Sequence, residues 1–237
     1  MEEVKPDVIL HTAAIADVDR CELDRSLAFS INVEGTLSLA KATKRAGAFI
    51  VHISTDYVFD GIKGMYEETN IPNPVNYYGY TKLLGESCCD AVARTSVVYG
   101  SRSVGGKDNF TLQIIKRLER GEQVKTLIDQ FRSPTLDVNL ARMTLEIAKR
   151  RLGGIYHLSG STRVSRFEFA CKLAKLFGFD RDLILQSKMD EMKWKAKRPH
   201  DSSLSTNKST LRLIAKPYDL DTSLRIFKKQ YDSCCTD

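Results

Sequence analysis

Residues Ala48-Phe-Ile-Val-His-Ile-Ser-Thr-Asp-Tyr-Val-Phe-Asp-Gly61 decide the fold. Ala48 to Ile53 is a short apolar, β-branched run that reads as a buried strand, and it ends on hydroxyl and acidic residues. Before it lies a stretch from Leu23 to Ala46 in which Leu27, Ile31, Leu37 and Ala40 recur at helical spacing. Gly47 follows as a stop signal, so one long helix is expected there. Before that helix, Asp7 to Thr12 reads as another buried strand. After the quoted run comes a polar loop with Gly61, Gly64, Pro72 and Pro74, then a helix from Tyr77 to about Asp90, then a strand from Ala91 to Tyr99. Further on, Asn109 to Arg120 is expected to be helical and Gln123 to Ile128 strand-like. Asp137 caps a helix to Arg151, and Gly154 to Leu158 is a strand. Ser165-Arg-Phe-Glu168 is a capping box for a helix ending near Gly178, and short helices lie around Leu211 and Leu224. Strands alternating with helices predict an α/β fold with a mostly parallel sheet. Ligands of such sheets bind beyond the carboxyl ends of the strands, where Ala13-Ala14, Ser54-Thr55-Asp56 and Thr95-Ser96 fall.

The chain has 237 residues, enough for one large domain or two small ones with a real core. No apolar run approaches the ~20 residues of a membrane helix, and no basic start followed by an apolar stretch marks a secretory signal. Thirty-six basic and 30 acidic residues give a net charge of +6, read as a solvated surface of mixed sign. The densest basic stretch, Lys188 to Arg198, holds one aromatic, Trp194, and no nucleic-acid motif, so no nucleic-acid partner is expected. The six cysteines (21, 88, 89, 171, 234, 235) form no Cys-x-x-Cys, and no histidine sits at zinc spacing. Reduced thiols in the cytoplasm and no metal are the expectation. Histidines 11, 52, 157 and 200 are scattered along the chain and read as structural.

Tyr78-Gly-Tyr-Thr-Lys82 carries the chemistry. Positions i and i+4 share a helix face, so phenol and ammonium approach each other. A nearby cation lowers the phenol's pKa and makes Tyr78 a usable acid or base. Tyr78 is the only tyrosine with a lysine four residues later. Thr55, at a strand end, is placed to bond the same substrate oxygen.

The run Ile53-Ser-Thr-Asp-Tyr-Val-Phe-Asp-Gly61, with Asn76-Tyr-Tyr-Gly-Tyr-Thr-Lys-Leu-Leu-Gly-Glu86, closely resembles the extended short-chain dehydrogenase/reductase family. Within it, the chain is similar to the dTDP-4-dehydrorhamnose reductase family. Pro6-Asp-Val-Ile9, Val18-Asp19, Glu22, Asn32-Val-Glu-Gly-Thr36, Arg94-Thr-Ser96, Asp129-Gln-Phe131, Ser133-Pro-Thr135 and Arg198-Pro199 fit the same pattern. The resemblance implies NAD(P)H-dependent reduction of the 4-keto group of a nucleotide-linked deoxysugar. In that reading Tyr78 is the acid, Lys82 tunes it and holds the nicotinamide ribose, and Thr55 bonds the reacting oxygen. Ala13, Ala14, Asn32 and Ser54 lie with the cofactor, NADPH or NADH. Val97, Asn109 and Arg198 meet the substrate, with Arg198 set to grip a diphosphate. The implied architecture is an incomplete, Rossmann-like, doubly wound parallel sheet with a small C-terminal α/β substrate lobe. Residues 1–105 would form the partial dinucleotide domain, with 137–160 returning to it, and 106–136 and 161–237 the substrate lobe. A homodimer is compatible.

Departures from the family accompany these matches. Ala16 and Val97 replace the usual Thr and Trp, and only eleven residues separate Lys82 from Arg94. The family's opening strand, Gly-x-x-Gly-x-x-Gly turn and helix have no counterpart, and the first strand matches the family's fourth. The expectation is therefore an N-terminally truncated chain with weak cofactor binding and a β-strand edge prone to association. Two other readings compete: a non-catalytic regulatory subunit like methionine adenosyltransferase β, compatible with Gly47-Ala-Phe49 and Phe167 to Ala174, and a nucleotide-sugar epimerase or dehydratase.

Overall fold

The computed structural model describes residues 3–103 and 105–234. β1 (Val8–His11) leads through α1 (Val18–Leu23) into a helical run of α2 (Arg25–Phe29), a π-helical segment (Ser30–Gly35) and α3 (Thr36–Arg45). β2 (Phe49–Thr55), a 3-10 turn (Asp56–Val58), α4 (Tyr77–Glu86), β3 (Ala91–Thr95), β4 (Val98–Tyr99) and α5 (Phe110–Glu119) follow. Next come β5 (Val124–Leu127), β6 (Phe131–Arg132), β7 (Thr135–Leu136), α6 (Asp137–Lys149) and β8 (Gly154–His157). Then β9 (Val164–Ser165), α7 (Arg166–Phe177), β10 (Ile184–Ser187), α8 (Asn207–Arg212) and α9 (Leu220–Cys234) complete the described chain. No helix among the described residues is long and apolar enough to cross a membrane.

The main sheet has the order β1-β2-β3-β8, and every pair in it is parallel. Parallel pairing needs crossovers, and the helices supply them. Alternation along β2 sorts its two faces. Phe49, Val51 and Ile53 pack with Ala91 and Ala93 of β3 against Met143, Ile147 and Ala148 of α6. On the other face His52 lies against α4 at Gly85, and Ser54 donates to Glu86 at 2.5 Å. All five residues of β3 are buried, as expected of a strand covered on both sides. The α/β, Rossmann-like expectation thus holds. A second core joins Leu112, Ile115 and Leu118 of α5, Phe169 and Leu173 of α7, and Leu224 and Phe227 of α9. The parallel β5–β10 pair adds Val124 and Ile184 to it.

Several boundaries differ from expectation for local reasons. The helix expected from Leu23 to Ala46 is broken at its start, because the Asp24 carboxylate accepts from Leu27 N–H at 3.0 Å and opens a new turn. The strand expected from Ala91 to Tyr99 is interrupted at Val97, whose φ of 42° no strand accommodates. The helix at Tyr77 ends at Glu86 rather than Asp90. Asp137 is the first residue of α6, not its cap, and its carboxylate accepts from Val138 N–H at 2.6 Å. Ser165 and Glu168 do form the capping box, and Gly178 ends α7 at φ 75°. The histidines are not all apart: His11 and His52 are register partners with ring centroids 5.1 Å apart. Cys21, Cys88, Cys89, Cys171 and Cys234 are free thiols, while Cys235 lies outside the described residues.

Candidate active site

Thr55 ends β2 paired with Thr95 of β3, so both side chains sit at the carboxyl edge of the sheet. The chain then turns tightly, with the Thr55 hydroxyl accepting from Tyr57 N–H at 3.2 Å. α4 begins above this turn. The Asn76 side chain caps it by accepting from Gly79 N–H at 2.9 Å. Gly79 allows the approach, since a β-carbon there would lie 2.1 Å from the Tyr57 carbonyl oxygen. The result brings the Tyr78 phenol beside the Thr55 hydroxyl. The Tyr78 and Tyr57 rings meet edge to face at 5.9 Å.

Burial raises the Tyr78 pKa above its ordinary value despite the neighbouring Thr55 hydroxyl. The direction is opposite to that expected from a neighbouring ammonium, and it keeps the phenol protonated. Lys82, one turn along α4, is 2% exposed, and burial lowers its pKa to about 8 against the pull of Glu86. No hydrogen bond holds its ammonium among the described residues.

Asn32 sits in the π-helical segment, the kind of irregularity common at functional sites. Its side chain accepts from Ile15 N–H at 2.8 Å and donates to Ile15 C=O at 3.1 Å and to Thr81 Oγ1 at 3.0 Å. It therefore ties the loop after β1, which carries Ala13 and Ala14, to the residue beside Lys82. Ser54 turns away from any ligand: its hydroxyl is spent on Glu86, which also takes a bidentate pair from Arg94 at 3.0 and 2.6 Å.

Asp56 is buried and accepts from Ser96 at 3.0 Å, from Thr55 at 3.3 Å and from Ser202. Arg132 Nε lies 3.6 Å away. Desolvation outweighs these partners and raises the Asp56 pKa. Arg132 in turn donates to Tyr57 Oη at 3.3 Å and to Pro199 C=O at 3.1 Å. Residues 195–198 are drawn over the site by Asp19, which accepts from the amides of Lys195 and Ala196 at 3.1 and 2.9 Å, and by Asn76, which donates to Lys197 C=O at 2.9 Å. Beneath them, a cavity of about 470 Å³ is walled by Tyr57, Phe110, Leu127, Met192, Trp194 and Arg198, among others. Arg198 pairs with Asp19 at 3.1 Å and lies 5.2 Å from the Trp194 ring centre.

The sequence profile of the RmlD substrate binding domain matches residues 1–232. The chain belongs to this family. The dTDP-4-dehydrorhamnose reductase of Aggregatibacter actinomycetemcomitans is 31% identical over 95% of this chain and 81% of its own length. Methionine adenosyltransferase 2 subunit beta of Xenopus tropicalis is 35% identical over 75% of this chain, which spans 56% of that subunit. The crystal structure of dTDP-4-dehydrorhamnose reductase from Bacillus anthracis in complex with NADP superposes with a TM-score of 0.89 at 32% identity, over 96% of this chain and 82% of that one.

In this member of the RmlD family the expected residues divide into three groups. Thr55, Tyr78, Lys82 and Asn32 converge, with Ala13 exposed and Ala14 half-buried in the loop below them. Arg198 reaches the cavity, while the strained Val97 borders a small recess beside Arg132 and Arg166. Ser54 and Asn109 are occupied elsewhere. Asn109 caps α5 by accepting from Thr111 and Leu112 N–H at 3.0 and 3.2 Å, and it donates to Gly100 C=O at 2.7 Å. Tyr57, Arg132, Gln130 and Arg166 border the candidate site without having been singled out in the sequence. Their signal was present in the Ser-Thr-Asp-Tyr and Asp-Gln-Phe runs, but long-range pairing alone reveals their roles. The basic run before Arg198, in which the sequence shows no nucleic-acid motif, contributes Met192 and Trp194 to the cavity wall.

Proposed function

We propose that this chain reduces the 4-keto group of a nucleotide-linked deoxysugar, using NADPH or NADH. The observation that carries the reading is one constellation. A protonated phenol beside the Thr55 hydroxyl stands one helical turn from the buried Lys82, whose ammonium has no hydrogen-bond partner among the described residues, next to a cavity with cationic side chains and an aromatic wall. The NADP complex of the Bacillus anthracis relative supports the cofactor class.

The residues divide the work. Tyr78 donates its proton to the oxygen that becomes the hydroxyl, and Thr55 orients that oxygen. The Lys82 ammonium fits the ribose hydroxyls of the nicotinamide, whose oxygens would accept its protons. Its charge also offsets the phenolate left behind. Asn32 holds the β1 loop, with Ala13 and Ala14 offering close backbone approach to the cofactor. When bound, the nicotinamide supplies the hydride. The nucleotide end lies in the cavity under Arg198 and Trp194. The two cores support a division into a dinucleotide part (1–105 and 137–160) and a substrate lobe (106–136 and 161–237).

Tyr78→Phe tests the reading. It should cut kcat for a dTDP-4-keto-6-deoxysugar by about 10²- to 10⁴-fold while leaving substrate affinity within a few-fold. Unchanged turnover would overturn it. The likeness to methionine adenosyltransferase 2 subunit beta favours a second reading, a partner-binding subunit. Co-purification with a methionine adenosyltransferase catalytic chain, together with no turnover of any keto sugar, would select that one.

A further inference from the structure

The wall of the 470 Å³ cavity carries Arg117, Lys125, Arg166 and Arg198 but no carboxylate. Two of these cations are already neutralised: Arg117 by Glu122 at 3.3 Å and Arg198 by Asp19 at 3.1 Å. Arg166 has no carboxylate at ion-pair distance among the described residues. It is fixed at three points. Its backbone N–H donates to Gln130 C=O at 3.3 Å, its Nε donates to Gln130 Oε1 at 2.7 Å, and its guanidinium lies 5.5 Å from the Phe110 ring centre. Because Gln130 Oε1 takes the Arg166 proton, the amide can turn only one way, with Nε2 directed away from Arg166. That nitrogen is fully buried and has no partner. On the same wall the Thr126 hydroxyl is also buried and unpartnered.

A half-buried guanidinium without a carboxylate partner and an unbonded, fully buried amide are each costly. Placed side by side they form a set of donors with no acceptor. The complement is a ligand rich in anionic oxygens. The same cavity is also lined by the apolar and aromatic side chains of Trp194, Met192, Val124 and Leu127. A molecule with a flat ring at one end and a diphosphate at the other suits both.

We propose that Arg166 and Gln130 form the diphosphate-recognition pair of this site, a specificity device that rests on the nucleotide-sugar reading above. Arg166 supplies the charge-assisted, two-pronged contact, and Gln130 both locks the guanidinium plane and adds a donor through Nε2.

Calorimetry on the whole chain with thymidine, dTMP and dTDP, without nicotinamide, tests this. The wild type should bind dTDP well above dTMP, and dTMP above thymidine. Arg166→Gln should weaken dTDP by about 10- to 100-fold and leave thymidine unchanged, erasing the preference for the second phosphate. Arg166→Lys, which keeps the charge and loses the fork, should fall between. Gln130→Leu should weaken dTDP by about 10-fold, and it reads the same contact should Arg166→Gln fail to fold. Wild-type binding of dTDP with undiminished affinity in Arg166→Gln or Gln130→Leu overturns the pair and leaves the functional reading standing. So does an equal loss for all three probes, which would mark a merely structural role. No binding of dTDP by the folded wild type overturns the functional reading itself.

Discussion

At the residue scale, the Lys82 ammonium is the most exposed to test. Burial has moved its pKa from near 10.4 down to about 8, so the folded protein sheds this proton over a range where the unfolded chain keeps it. Two consequences run in opposite directions. With the ammonium needed at the site, kcat/KM should fall above about pH 8 with a slope approaching one decade per pH unit. Conformational stability, by contrast, should gain between pH 8 and 10.4, because the unfolded state binds more protons there. A pH–rate profile alongside denaturant unfolding at the same pH values separates the two; a kcat/KM flat to pH 9.5 contradicts the assignment. Tyr78, Thr55 and Lys82 were legible from the sequence because i,i+4 spacing and a strand end are local facts. The side chains of Ser54 and Asn109, by contrast, are engaged by Glu86 and by the first turn of α5, which no local pattern announces. Gln130 and Arg166 lie 36 residues apart, and no local pattern joins them.

At the element scale, the strands and helices of the main sheet were legible, since burial on two faces demands apolar β-branched runs, whereas the short strands β6, β7, β9 and β10 were not. Neither were the irregularities. The break at Asp24 turns on a local cap, whereas the π-helical turn around Asn32 and the bend at Val97 involve partners brought from other elements. The packing of α4 on the Tyr57 turn is the joint on which the site depends. Gly79→Ala would press a methyl group into the Tyr57 carbonyl, and the helix must move to relieve it. A loss of about 1–3 kcal/mol in unfolding free energy is expected. Turnover should fall further than that loss explains, because Tyr78 and Lys82 move with the helix. Thermal unfolding and kcat measured together check this; a variant with normal kcat shows the joint to be slack.

At the scale of the whole molecule, two buried histidines set the acid limit. Burial lowers His52 to about 2 and His157 to about 3, so both stay neutral in the fold. The unfolded chain takes up their protons below about pH 6.5, and stability therefore falls as pH drops from there. Each contributes up to about 1.4 kcal/mol per pH unit. His52 has both ring nitrogens buried without partners. His52→Leu should therefore gain on the wild type as pH falls from 7 to 5, read as the difference in urea midpoints; a constant difference denies the role.

The order in which the chain visits its two cores has a kinetic side. Strands β1 to β3 belong to one core, α5 to the other, α6 and β8 to the first again, and α7 and α9 to the second. A nascent chain that has reached about residue 150 would hold three of the four sheet strands described and only part of the second core. The open flank of β3 would wait for β8 until α6 had been made, and the second core would wait for α9 at the far end. Neither half can close before most of the chain has left the ribosome. Non-local pairing of this kind slows folding and lengthens the interval in which a chaperone is useful.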